Sequence, residues 1–162
     1  MSEAAASKSG TRLIPGESRQ AKGGFRIEYA DGGRVGPDVT TKTRDCGARA
    51  VAIVTGRGYV DVCEEITADL ARRKIGDESV KEGLRANTVL AALGPGWKYR
   101  QDNAQVRRFH VAKLPAHSDM IIFIDDHFSA IVDREIRDTG DHSGPDVHIH
   151  GYFYRAAGPD AA

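Results

Sequence analysis

Residues 43–56 read Thr-Arg-Asp-Cys-Gly-Ala-Arg-Ala-Val-Ala-Ile-Val-Thr-Gly, and this stretch constrains the chain more than any other. Ala48, Ala50, Val51, Ala52, Ile53 and Val54 make a helix that is apolar around nearly its whole circumference, interrupted only by Arg49. Such a helix belongs in the middle of a protein. Asp45 is a favourable N-cap and Thr55-Gly56 a favourable stop. Cys46 therefore stands at the positive end of a central, buried helix. Partial positive charge there lowers a thiol pKa and favours the nucleophilic thiolate.

The 162 residues suit one domain, large enough for a real core. The 23 basic and 23 acidic residues cancel, which argues against a general nucleic-acid or membrane-surface binder. Arg72-Arg73-Lys74 and Arg107-Arg108 read as solvated faces, with no aromatics interleaved for single-strand binding. The first ten residues hold no apolar signal-peptide core. No run nears the ~18 apolar residues of a membrane span. The expectation is a soluble, cytoplasmic protein with reduced thiols.

Residues 1–22 are rich in Ala, Ser, Lys and Gly without periodicity and read as a disordered tail. A single domain follows over 23–156, with a flexible tail at 157–162. Phe25–Tyr29 alternates, and after a Gly32-Gly33 turn it could pair back with Arg34-Val35 as a small hairpin. Tyr59, Val62, Cys63, Ile66 and Leu70 form the stripe of an amphipathic helix running to about Lys74. Val80, Leu84, Val89, Leu90 and Leu93 mark a third, weaker helical segment. From Trp97 onward the texture is extended: Trp97–Arg100, Gln105–Val111, the apolar run Asp119–Ile124, His127–Val132, Glu135–Asp138 and Val147–Arg155. The predicted class is α+β, with N-terminal helices packed on a C-terminal antiparallel sheet.

Thiol catalysis needs a thiolate, an imidazole within reach and a group that fixes the imidazole. Cys46 supplies the first. His127 opens the strand after the apolar run. A two-residue turn at Asp133-Arg134 pairs Val132 with Glu135, Ala130 with Arg137 and Ser129 with Asp138. His127 and Asp138 then become diagonal neighbours on one face, whereas a three-residue loop would destroy that parity. Asp138 could instead cap backbone N–H groups beside the turn. Cys63 lies on an apolar stripe and reads as structural. His142, Asp146, His148 and His150 suggest metal ligands by type, but no matching pair stands elsewhere, so no metal and no cofactor is expected.

Asp45-Cys46-Gly47-Ala48 at the start of an apolar helix resembles the papain-like cysteine peptidases, above all the bacteriocin-processing peptidase domains of ABC exporters. His127-Phe-x-Ala-x-Val-Asp133, then Ile136-Arg-Asp-Thr139 and Gly151-Tyr-Phe153, resembles small papain-like proteins encoded by phages and prophages. The resemblance spans roughly residues 40–155. It implies a papain-like fold with Cys46 as nucleophile, His127 as base and Asp138 as its orienting residue. It also implies hydrolysis of a peptide or isopeptide bond, with a protein or peptide as substrate. The peptidases place a Gln six residues before the nucleophile as oxyanion donor. Here Thr40 stands there, beside the backbone N–H of Cys46. Asp125-Asp126, next to His127, would favour the imidazolium. Two alternatives keep the fold. One is a catalytically weak or inactive module holding a partner peptide, which the Thr40 departure favours; the other is an amidase acting on cell-wall peptides.

Overall fold

The computed structural model describes residues 11–20, 26–33, 44–101, 119–124, 127–141 and 149–155. Within them the apolar helix forms where the sequence places it, as α1 (Cys46–Thr55). It ends on Gly56, whose φ of 73° a side chain would disfavour. Helix α2 (Tyr59–Arg72) buries Val62, Ile66 and Leu70 along one stripe. Helix α3 is shorter than the apolar pattern suggested, covering only Ala86–Leu93. The residues before it turn instead. The buried Glu78 carboxylate accepts from the Arg85 N–H at 2.7 Å and from the Thr88 hydroxyl at 2.8 Å, which fixes where the helix begins.

The strands are β1 (Thr11–Arg12), β2 (Ser18–Gln20), β3 (Arg26–Tyr29), β4 (Trp97–Gln101), β5 (Asp119–Ile124), β6 (His127–Val132), β7 (Glu135–Asp138), β8 (Gly140–Asp141) and β9 (Ile149–Arg155). Seven of them form one sheet in the order β2-β3-β7-β6-β5-β9-β4, and β1 pairs with β8 in a separate ribbon. The fold is α+β. The sheet is mixed, not antiparallel throughout, because β3 runs parallel to β7 with Ile27 opposite Ile136. It also draws strands from both ends of the chain. The pairing of β3 with Arg34-Val35 falls outside the described residues. The two edges of β3 are taken by β2 and β7. The extended segment expected at 105–111 and the tail at 157–162 also lie outside them.

Residues 11–20 correct the expectation of a disordered tail through 22. Ile14-Pro15-Gly16-Glu17 is a tight turn with Gly16 at φ 85° and the Glu17 N–H bonded to Ile14 O at 2.9 Å. Proline followed by a left-handed glycine is what such a turn requires. It reverses the chain between β1 and β2 and carries Leu13 into the interior, at 3% exposed. The polar composition of the whole tail masked these few residues.

The sheet separates two cores. Ile121, Phe128, Ala130 and Phe153 pack with Trp97 and the three helices. Met120, Ile122, Ile124, Ile131, Ile136, Ile149 and Ile27 form a second core with Leu13. Alternation along β5 and β6 sends neighbouring residues to opposite cores. Leu13→Ala is expected to cost about 2–5 kcal/mol, as for other buried leucines. Urea unfolding of the full chain checks this, and an unchanged midpoint would show that residues 11–20 do not belong to the folded unit.

Candidate active site

The hairpin β6–β7 has the two-residue turn that the site depends on. Asp133 and Arg134 both take positive φ, 51° and 66°, the backbone of the tight hairpin turns that match strand twist. The register follows: Val132 opposite Glu135, Ile131 opposite Ile136, Ala130 opposite Arg137. His127 Nε2 then lies 2.6 Å from Asp138 Oδ2. That leaves Nδ1 for the Cys46 thiol, which hydrogen-bonds to the ring and also receives the Phe128 backbone N–H. Cys46, His127 and Asp138 are thus brought into one line from a helix start and two adjacent strands.

Asp138 is buried at 3% exposed and accepts four hydrogen bonds. Besides His127, Ser129 Oγ donates to Oδ2 at 2.8 Å, while the Thr139 N–H at 2.7 Å and Arg49 Nη1 at 3.2 Å donate to Oδ1. Sequence reasoning assigned neither Ser129 nor Arg49 to the site. Both left a signal. Ser129 was already paired opposite Asp138 by the turn register, and Arg49 is the lone charge in an apolar helix. A buried charge is retained only where partners surround it.

Asp45 corrects the reading of a helix cap. It occupies the position before α1, but its side chain makes no capping bond. Its Oδ1 accepts from Arg49 Nε at 3.0 Å and its Oδ2 from the Tyr59 hydroxyl at 2.7 Å. Pairing an interior guanidinium outweighs a cap whose loss typically costs only about 1 kcal/mol. Asp45 therefore does not occupy the first-turn N–H groups of α1.

The electrostatics follow from these contacts. Burial pushes the Cys46 thiol up, but the hydrogen bond and charge of His127, the Phe128 N–H and the charge of Arg49 outweigh it. The thiol pKa falls below its ordinary value. Burial pulls His127 down, yet the charge and hydrogen bond of Asp138, with those of Cys46, push it up to about 10. Arg49 is desolvated, but Asp138 and Asp45 hold it firmly protonated. Cys63 goes the other way: burial and the charges of Asp45 and Glu64 raise it, against a hydrogen bond from Tyr59. Of the two thiols, only Cys46 is activated.

Thr40, and Asp125 with Asp126, lie outside the described residues, as do His142, Asp146 and His148. His150 is exposed, with its ring 5.7 Å from that of Phe123. Among the described residues no three of His, Cys, Asp and Glu are grouped to hold a metal ion, and no helix is long and apolar enough to cross a membrane. No family model, curated protein or solved structure matches the chain.

The opposite shifts set a pH window. The thiolate–imidazolium pair exists from the lowered Cys46 pKa up to about 10, where His127 loses its proton. Alkylation of Cys46 by neutral iodoacetamide should rise through an inflection below the ordinary thiol range and then stay flat. His127→Ala should move that inflection upward, because the thiolate loses both a donor and a charge. Mass-spectrometric rates across pH check both statements, and an inflection indifferent to His127→Ala rules out the ion pair.

Proposed function

We propose that the chain is a papain-like cysteine hydrolase that cleaves peptide or isopeptide bonds through a thioester on Cys46. One observation carries this reading: the continuous thiol–imidazole–carboxylate line of Cys46, His127 and Asp138, with the thiol at the start of a buried helix. Structural cysteines in cores are protonated and inert, whereas this one shares a hydrogen bond with an imidazole that a buried carboxylate orients.

The chemistry runs on these groups. The Cys46 thiolate attacks the carbonyl carbon of the scissile bond, and the negative charge moves to the carbonyl oxygen. The Cys46 N–H, at the positive end of α1, would donate to that oxyanion. The His127 imidazolium gives its proton to the leaving nitrogen as the C–N bond breaks, leaving an acyl thioester. Neutral His127 then takes a proton from water, which attacks the thioester, releases the acid and restores the thiolate–imidazolium pair. Asp138 accepts from His127 Nε2 and holds the ring in the orientation that presents Nδ1 to sulfur.

Turnover, unlike alkylation, needs the imidazolium as acid. It should therefore decline as pH passes about 10. A peptide electrophile should label Cys46 in preference to Cys63, and Cys46→Ala should abolish turnover on a mixed peptide and isopeptide library. Asp138→Ala should lower kcat about 100-fold or more, in the range typical for groups that support a general acid–base residue. A wild-type chain that neither labels at Cys46 nor turns over any substrate would instead be a peptide-holding module on the same scaffold.

A further inference from the structure

Cys46 sits on α1, while His127 and Asp138 sit on the β6–β7 hairpin. The thiol–imidazole contact therefore depends on how the helix docks on the hairpin. One side chain spans that joint with directional bonds. Arg49 lies three residues after Cys46, on the same face of α1. It is 7% exposed. Its Nε bonds to Asp45 Oδ1 at 3.0 Å, and its Nη1 bonds to Asp138 Oδ1 at 3.2 Å and to Thr139 Oγ1 at 2.8 Å. Asp45 is itself held by the Tyr59 hydroxyl from α2. The turn at Gly32 lies close to the Arg49 backbone: a Cβ at Gly32 would sit 3.1 Å from Arg49 O. The guanidinium is thus held at two points, by Asp45 through Nε and by Asp138 with Thr139 through Nη1, and it takes the oxygen of Asp138 that His127 does not use.

On the hydrolase reading above, we infer that Arg49 is a positioning residue: it fixes the Asp138 carboxylate, and through it the His127 ring, against the Cys46 thiol. A planar fork suits this task. It meets Asp45 through one nitrogen and Asp138 with Thr139 through another, so its plane is set by both ends of the joint. A lysine would supply the charge without the plane. The same guanidinium also adds its positive charge to the field at the thiolate. The charged groups acting on the Cys46–His127 pair are Asp138 on β7 and Arg49 on α1; Asp45, just before α1, pairs with Arg49 and accepts from Tyr59 on α2. Asp125 and Asp126 adjoin His127 in sequence.

The test uses the full chain and reads two quantities: the alkylation–pH profile of Cys46, and kcat with KM on a peptide substrate. Arg49→Gln should raise the inflection and lower kcat about 10- to 100-fold, the loss expected when reacting groups are misplaced by about 1 Å. KM should change less than about threefold, because Arg49 is buried and bonded to Asp45, Asp138 and Thr139. Arg49→Lys should return the inflection toward wild type while recovering only part of kcat. A merely stabilising ion pair predicts something else: a lower Tm, with the inflection and kcat of the folded fraction unchanged. That result for Arg49→Gln overturns the inference. Should Arg49→Gln fail to fold, Arg49→Lys decides, and a wild-type kcat in it is equally fatal. A wild-type Cys46 that is unreactive and without turnover would instead remove the hydrolase reading itself.

Discussion

A guanidinium buried in an apolar helix must be neutralised where it stands, and the structure is arranged around that requirement. Left unpaired, such a charge destabilises a fold by several kcal/mol. Arg49 meets two carboxylates, one from its own helix entry and one from the far end of the chain. This draws Asp45 away from capping duty and Tyr59 toward Asp45. It also ties the end of β7 to α1. The bond between Arg49 and Asp138 spans 89 residues of sequence and joins the helical part of the fold to the sheet.

The site lies where the two cores meet. Phe128 and Ala130 pack with α1, while His127, Ser129 and Ile131 alternate to the other face of β6, and Ile131 belongs to the second core. Cys46 approaches from one side of this seam and Asp138 from the other. In the ion-pair state the cluster holds two cations, Arg49 and His127, against three anions: Asp45, Asp138 and the Cys46 thiolate. The surplus negative charge is spread over neutral donors, namely the Tyr59 and Ser129 hydroxyls and the N–H groups of Phe128 and Thr139. No single group has to carry it unscreened, and His127, the Phe128 N–H and Arg49 lower the Cys46 pKa despite burial.

Much of this was legible from local chemistry. The apolar face of α1, its stop at Gly56, the stripe on α2 and the β6–β7 hairpin all follow from short-range periodicity and turn residues. So does the relation between His127 and Asp138, because strand parity and a two-residue turn determine it. What escaped was decided by distant partners. The Asp45 side chain has two uses, and only the three-dimensional position of Arg49 selects between them. Ser18–Gln20 has no apolar pattern of its own and is a strand because β3 offers it an edge. The parallel pairing of β3 with β7 is also invisible locally, since Ile27 and Ile136 are each ordinary members of an alternating run. Leu13 was hidden by the composition around it, although Pro15-Gly16 marks the turn.

The placement of β2 and β3 has a consequence for synthesis. They emerge from the ribosome before the helices, yet β3 pairs with β7, which lies beyond them in sequence. Until β7 is made, Ile27 has no second core to enter and one edge of β3 has no ladder to join. The three helices also pack on one another over short sequence distances, and those contacts have no such delay. Closing a loop of this length costs chain entropy before any contact rewards it. The nascent chain must therefore carry an open strand edge until β7 is made, the kind of edge that invites pairing with another chain.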